Sequence, residues 1–390
     1  MKTVCKVNNC TGCMACLDVC SKGAIVVADN QRYFNAVIDT DRCINCGVCH
    51  RVCQNNSKID VATPVVWYQG WSKSDIQRRK SSSGGFAAEL AKCFIKNGGI
   101  VCSCTFNNGF FGFSFADSSE DTEKFVGSKY VKSNPKGIYK KINALLSENR
   151  KVLFIGLPCQ AAAVKQFVGN KFQNNLYLVD LICHGSPSPK HLDKFLKESG
   201  YRLDNLDCIG FRKKDSFRIT QNEQYIETSG VYDCYTLAFL NGLNYTENCY
   251  NCKFAKKERV SDITIGDSWG SDLSVDEQQK GISLALCRSE KGHELLKKSN
   301  IFLFPVNLEN AIKNNQQLET PSRKPDTYDK FFHALEVGKS YRTAVKISLP
   351  RTYRNQQIKK ILIKLKIMRG GEINCYAITI FEKDKKDGLL

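Results

Sequence analysis

No run of eighteen apolar residues occurs anywhere in the sequence, and Met1 to Cys10 lack the apolar stretch of a secretory leader, so neither a membrane span nor export is expected. Nucleic-acid signatures are missing too: there is no zinc-finger spacing and no RNP-like motif. The sequence has no Gly-x-Gly-x-x-Gly turn, which leaves a Rossmann-type dinucleotide site without support. What remains is a chain of 390 residues, long enough for two or three domains, with the 42% hydrophobic and 25% charged content of an ordinary soluble globular protein. Its 20 cysteines are numerous, yet about 5% of the chain lies below the roughly 8–10% that marks disulfide scaffolds. Reduced thiols in the cytoplasm are therefore expected. The net charge is +18, and much of the excess falls in the last 50 residues, where Arg351, Arg354, Lys359, Lys360, Lys364, Lys366 and Arg369 run without an acid between them. Elsewhere the cations are scattered, so nucleic acid is not an expected partner.

The most informative stretch is an internal repeat. Cys10, Cys13, Cys16 and Cys20 spell C-x2-C-x2-C-x3-C, and each recurs 33 positions later as Cys43, Cys46, Cys49 and Cys53. In two-cluster ferredoxins three thiolates of a run wrap one 4Fe-4S cluster and the fourth ligates the other. Cys10, Cys13, Cys16 and Cys53 are thus assigned to one centre, and Cys43, Cys46, Cys49 and Cys20 to a second. Zinc sites instead use two C-x2-C pairs set well apart, and disulfide frameworks belong to small secreted chains. Ser21 and Gln54 stand where bacterial ferredoxins usually carry Pro, a departure expected to alter the helix exit rather than ligation.

The first domain is expected to close near Asp60, with Val61-Ala62-Thr63-Pro64 leading out. Ser81-Ser82-Ser83-Gly84-Gly85 then feeds an amphipathic helix over Phe86 to Lys96, followed by a strand from Ile100. Such a helix start suits a phosphate, although Ser-Gly turns also open helices that bind nothing. Phe110 to Ala116 reads as a strand, and Lys129 after it as a solvated surface lysine. Two strand-turn-helix units follow: Lys151 to Gly156 with a helix from Ala161 to Phe167, and Leu176 to Cys183 with a helix from Lys190 to Ser199. Apolar strands alternating with helices point to a parallel sheet, whose ligands sit beyond the carboxyl ends of the strands. Cys159, Cys183 and His184 all fall at that edge, and His184 is the histidine with a candidate role. With Cys249 and Cys252 the two cysteines make four thiols, either a third 4Fe-4S cluster or a set of buried reduced cysteines. Cys93, Cys102, Cys104, Cys208, Cys234, Cys287 and Cys375 have no partner at ligand spacing and read as packing residues. Ile358, Ile361, Leu362, Leu365 and Met368 lie at helical spacing among the terminal cations, either capping the domain or meeting an anionic partner or lipid surface.

Taken in order, Ser82-Ser83-Gly84-Gly85, Gly127-Ser128-Lys129-Tyr130, Gly156-Leu157-Pro158-Cys159-Gln160, Cys183-His184-Gly185-Ser186-Pro187, Cys249-x2-Cys252 and Asp262-Ile263-Thr264-Ile265-Gly266-Asp267 resemble the family of coenzyme F420 hydrogenase/dehydrogenase beta subunits. With the repeat in front, the likeness spans roughly residues 1 to 310. It implies an iron-sulfur flavoprotein in which FAD mediates between one-electron clusters and a two-electron carrier, a deazaflavin in the namesake enzymes. By that resemblance Ser83, Gly84, Gly85, Lys129 and Tyr130 become flavin-site residues, Lys129 and His184 catalytic candidates, and Cys159, Cys183, Cys249 and Cys252 ligands of the further cluster.

The reading is a cytoplasmic α+β oxidoreductase. A bacterial-type two-cluster ferredoxin domain (1–62) precedes a larger, flavin-binding α/β domain (63–335) with a mixed, largely parallel sheet, and a basic helical tail (336–390) follows. Expected partners are an electron-donor protein, such as a ferredoxin or a hydrogenase/dehydrogenase-type subunit, and a two-electron carrier or small organic substrate. The rival readings are a non-catalytic electron-relay subunit and a reductase acting directly in saccharide or small-molecule biosynthesis.

Overall fold

The computed structural model describes residues 2–214 and 216–368; Arg369 and Cys375, named above, lie outside them. The repeat in the sequence is a repeat in the backbone. Short helices Ala15–Val19 and Val48–Val52 occupy equivalent positions, and the loops before them place left-handed residues in register, Gly12 with Asn45 and Met14 with Gly47. Each loop curls back on itself at those residues and points its cysteines inward. An antiparallel hairpin, β1 (Ile25–Asp29) and β2 (Phe34–Ile38), separates the halves.

The rest of the chain is built on an eight-stranded sheet. Its strands are β3 (Val66–Ser72), β4 (Ile100–Asn107), β5 (Phe110–Ala116), β6 (Val152–Gly156), β7 (Leu176–Leu181), β11 (Ile263–Asp267), β12 (Ser283–Cys287) and β13 (Ile301–Phe304), in the order β13-β3-β12-β11-β7-β6-β4-β5. β11, β7, β6 and β4 are mutually parallel, and β3 shares their direction, so five of the eight strands run one way. Every residue of β6 is buried, as expected of a strand covered on both faces. The helix Phe86–Lys96 covers one face through Phe86, Leu90 and Phe94. Helices Ile138–Ser147 and Pro158–Val168 cover the other, and their residues Tyr139, Ile142, Ala161 and Val164 share a core with Val4, Ile25, Phe34 and Val52 of the N-terminal part. The N-terminal unit and the larger unit are therefore packed through one hydrophobic cluster. The architecture is α+β: a ferredoxin-like N-terminal unit joined to a larger α/β unit.

A second core, without counterpart in the sequence reading, lies beyond the sheet's carboxyl edge. It combines a three-stranded antiparallel sheet, β8 (Ile209–Lys213), β9 (Ser216–Gln221) and β10 (Gln224–Tyr225), with helices Pro189–Glu198, Cys234–Leu240, Tyr328–Glu336 and Tyr341–Ser348. The last helix buries Tyr341, Ala344 and Val345 completely. The β1–β2 turn docks here: Glu247 N donates to the Arg32 carbonyl at 2.8 Å, Ser188 Oγ to Asp29 Oδ2 at 2.6 Å, and Arg32 pairs with both Glu247 and Asp329. Cys234 and Cys287 are buried as expected of packing residues, but Cys208 is exposed on the three-stranded sheet beside Asn222, so its reading as a packing residue does not hold.

Tyr341→Ala removes a fully buried ring that also accepts a 3.0 Å hydrogen bond from Asn244 Nδ2. The expected cost is about 3 kcal/mol of folding free energy, read by chemical denaturation. An unchanged midpoint would show that residues beyond 336 are an appendage rather than part of the second core.

Candidate iron-sulfur centres and the adjoining cleft

Two cavities sit in the N-terminal unit. Cys10, Cys13, Cys16 and Cys53 line the inner one, together with Cys5, Thr11, Ala36 and Gln54. The outer one is lined by Cys20, Cys43, Cys46 and Cys49 with Ile25 and Ile44. The fourth cysteine of each run thus lies with the other run. The eight thiols are grouped four and four around the two cavities. Backbone N–H groups of Gly12, Ala24 and Asn45 donate to Cys10, Cys20 and Cys43 Sγ at 3.3–3.4 Å. The donor set and the cavities fit 4Fe-4S clusters.

The two cavities differ in exposure. Cys10, Cys13, Cys16 and Cys53 are buried, whereas Cys46 is exposed and Ile44 beside it is 60% exposed. The inner set faces the larger unit. Gln54, fully buried, donates through Nε2 to Thr11 Oγ1 at 2.8 Å and to the Cys159 carbonyl at 3.3 Å, and its Oε1 lies 3.8 Å from Cys53 Sγ and 4.0 Å from Cys13 Sγ. Lys253 Nζ donates to the Gln54 carbonyl, and Lys132 Nζ to the Thr11 carbonyl at 3.1 Å. Tyr139 Oη bonds the Cys13 carbonyl.

Across that junction the structure brings Cys159, Cys183, Cys249 and Cys252 together. Cys159 opens the helix after β6, Cys183 follows β7 by two residues, Cys249 lies within the 3-10 turn Glu247–Asn251 and Cys252 caps its end. Burial raises the Cys159 thiol well above its ordinary pKa; Lys132 opposes this, while the neighbouring Cys252, Cys183 and Cys249 add to it. Burial likewise pushes Cys183 up to about 12, reinforced by Cys249 and Cys252. Gly185 makes this placement possible: at φ 151° a Cβ there would lie 2.2 Å from the Tyr245 ring, so the Cys183-His184-Gly185 turn can pack flat on that ring only with glycine.

His184 directly follows Cys183. It is solvent-exposed, and surrounding protein lowers its pKa, with Asp267 and Arg212 nearby. Asp267 ends β11 and holds Arg212 of β8 through two hydrogen bonds of 2.6 and 2.8 Å. Tyr130 borders the same group: its ring stacks on Phe239 at 4.4 Å between centroids, and its hydroxyl, its pKa raised chiefly by burial, lies beside Arg212. The Gly127-Ser128-Lys129 segment joins the Ser/Gly turn through Ser128 N donating to Ser82 Oγ at 3.0 Å. There Ser83 Oγ donates to the Ile282 carbonyl, Lys214 Nζ donates to the Ser83 and Arg78 carbonyls, and Gly84 lies against Gly70 and Ser283 where a Cβ would meet Gly70 O at 2.4 Å. Gly85, left-handed at φ 97°, turns the chain into the helix. Lys129 is neither free on the surface nor aimed at the His184 group: its ammonium donates to the Phe125 and Val126 carbonyls at 2.8 and 3.0 Å. Arg212, Lys214, Gln54 and Cys5 had no place in the sequence reading of the site.

Residues 149–301 match the family described as the C-terminal part of the coenzyme F420 hydrogenase/dehydrogenase beta subunit, and residues 9–57 match the 4Fe-4S dicluster domain. The chain thus joins a segment matching a 4Fe-4S dicluster domain to one matching the C-terminal part of that beta subunit. Its relatives include the coenzyme F420-dependent sulfite reductase of Methanocaldococcus jannaschii, 24% identical over 90% of this chain and 58% of that protein. The F subunit of the F(420)H(2) dehydrogenase of Methanosarcina mazei is 24% identical over 67% of this chain and 78% of that one. A chain of the F420-reducing [NiFe] hydrogenase complex from Methanosarcina barkeri aligns with TM-score 0.43 and 19% identity, covering 73% of this chain and 98% of that one. The chain therefore spans a little under three-fifths of the sulfite reductase.

Burial lowers Lys129 to a pKa of about 8, from an ordinary 10.5, with Cys104 opposing. Its amine should therefore react with acetic anhydride in a pH profile centred near 8, resolved from other lysines by peptide mass spectrometry. A midpoint near the ordinary value would contradict the desolvated environment.

Proposed function

We propose that the protein is a cytoplasmic iron-sulfur flavoprotein oxidoreductase with three 4Fe-4S clusters and one FAD, organised as domains 1–62 and 63–335 with a basic tail from 336. The observation that carries the reading is the adjacency of the thiol sets: Gln54 links the buried inner set to Cys159, and the other N-terminal set is open to solvent at Cys46. A one-electron donor protein docks where Cys46 and Ile44 are exposed, and a two-electron partner, deazaflavin-like or organic, is served at the far end. Cys20, Cys43, Cys46 and Cys49 ligate the entry centre, Cys10, Cys13, Cys16 and Cys53 the inner one, and Cys159, Cys183, Cys249 and Cys252 the third. FAD, when bound, supplies the conversion between single electrons and a hydride.

The chain's own residues set the conditions for that conversion. The Ser83-Gly84-Gly85 turn opens an eleven-residue helix whose free N–H groups and dipole favour an anionic pyrophosphate, with the cations of Arg78 and Lys214 beside it. Tyr130, rigid in its aromatic stack, offers a flat apolar wall. Arg212, held in place by Asp267, would present its guanidinium to a flavin bound there. His184, exposed and held neutral by its surroundings, can accept or donate a proton as two-electron chemistry demands. This arrangement favours a catalytic protein over a bare relay subunit, which needs no such cleft at the end of its clusters.

Two cysteine variants test the reading on anaerobically purified protein. Cys13→Ala should lose one N-terminal cluster and block electron entry while the larger unit stays folded. Cys249→Ser should lower iron by about four per chain, leave both N-terminal centres intact by EPR, and stop flavin reduction by a reduced ferredoxin. Iron content unchanged by Cys249→Ser would remove the third cluster from the account.

A further inference from the structure

The helix Pro350–Lys364 departs from the role of a simple cap. Its inner side is attached to the second core: Tyr353 packs there, Gln356 Oε1 accepts from Tyr232 N at 3.0 Å, and Lys360 pairs with Glu227 at 2.5 Å. Its outer side faces solvent and is apolar toward the carboxyl end. Ile358, Ile361 and Leu365, at helical spacing on one face, are 48%, 56% and 63% exposed, and Ile367 and Met368 just beyond are exposed as well. The same face carries exposed Arg351 and Arg354 one to two turns earlier, with exposed Lys364 and Lys366 at the apolar end. Nothing in the helix is buried. Solvated helix faces are normally polar, so a row of outward aliphatic side chains needs an occupant.

The charge identifies the occupant. Residues 339–368 hold nine Lys and Arg and no Asp or Glu. A second copy of this face would bring like charges together, and residues 369–390 contain four acids against four bases, so they offer no net complement. We propose that this face seats the protein on an anionic lipid surface, with Ile358, Ile361 and Leu365 at the headgroup–acyl boundary and Arg351, Arg354, Lys364 and Lys366 against lipid phosphates. The apolar row is what distinguishes lipid from a soluble polyanion, which needs the cations alone. The contact is peripheral, because no helix among the described residues is long and apolar enough to cross a membrane. It stands independently of the cofactor reading.

The test is cosedimentation of the full-length protein with phosphatidylcholine vesicles, with and without phosphatidylglycerol. Binding is expected only to the vesicles containing phosphatidylglycerol and should weaken as salt is raised. The double substitution Ile358→Asn and Ile361→Asn should reduce binding on the order of tenfold or more, and Arg351→Gln and Arg354→Gln about fivefold each. Circular dichroism and cluster absorbance should not change, since these side chains belong to no core and are exposed. Failure of the wild-type chain to bind either vesicle overturns the proposal. So does wild-type affinity in the isoleucine variant, which would reduce the contact to charge alone, or equal binding of the wild type to both vesicles.

Discussion

Thiolates cannot be gathered in a protein interior without cations and hydrogen-bond donors to hold their charge, and that requirement shapes the contact between the two units of this protein. Lys132 and Lys253 meet it jointly for both sides. Lys132 lies close to Cys10 in the inner set and to Cys159 and Cys183 across the junction, where it opposes the rise that burial imposes, while Lys253 lies close to Cys53 and Cys252. Each lysine is therefore shared between two thiol sets, and pulling the units apart would strand negative charge on both. Gln54 adds a neutral bridge over the same boundary. The shared hydrophobic cluster of Tyr139, Ala161 and Val164 with Phe34 and Val52 closes round this polar centre.

The parallel sheet does the remaining positioning. β6, β7 and β11 deliver Cys159, Cys183 with His184, and Asp267 to one edge, where the chain leaves each strand and side chains are free to project. The second core then folds over that edge and brings Arg212, Tyr130 and the Cys249–Cys252 turn to it. The N-terminal unit and the second core thus lie on either side of the Cys159 group, between an exposed thiol set and His184.

Much of this was legible in the sequence where chemistry and spacing coincide. The crossed grouping of the eight N-terminal cysteines follows from their 33-residue repeat, and the strands at Lys151 to Gly156 and Leu176 to Cys183 lie where their apolar runs placed them, within two residues. Gln54 shows where local reasoning stops: read as a change in the helix exit, it is a bridge to Cys159, 105 residues away, and no spacing announces such a contact. Arg212 belongs to no motif and gains meaning only because β8 lies across from Asp267. Lys129 read as a surface side chain because nothing in the sequence shows the two carbonyls that hold it. The terminal basic stretch was read from Arg351 as one amphipathic helix, whereas the structure ends the core with Tyr341–Ser348 and turns the isoleucines of the next helix outward.

The central claim is that three thiol sets feed a flavin. Its most direct measurement is the content of iron, acid-labile sulfide and flavin per chain in anaerobically purified protein. The account predicts about twelve irons, as many sulfides and one FAD. About eight irons and no flavin would contradict it, leaving a two-cluster relay beside a group of reduced cysteines.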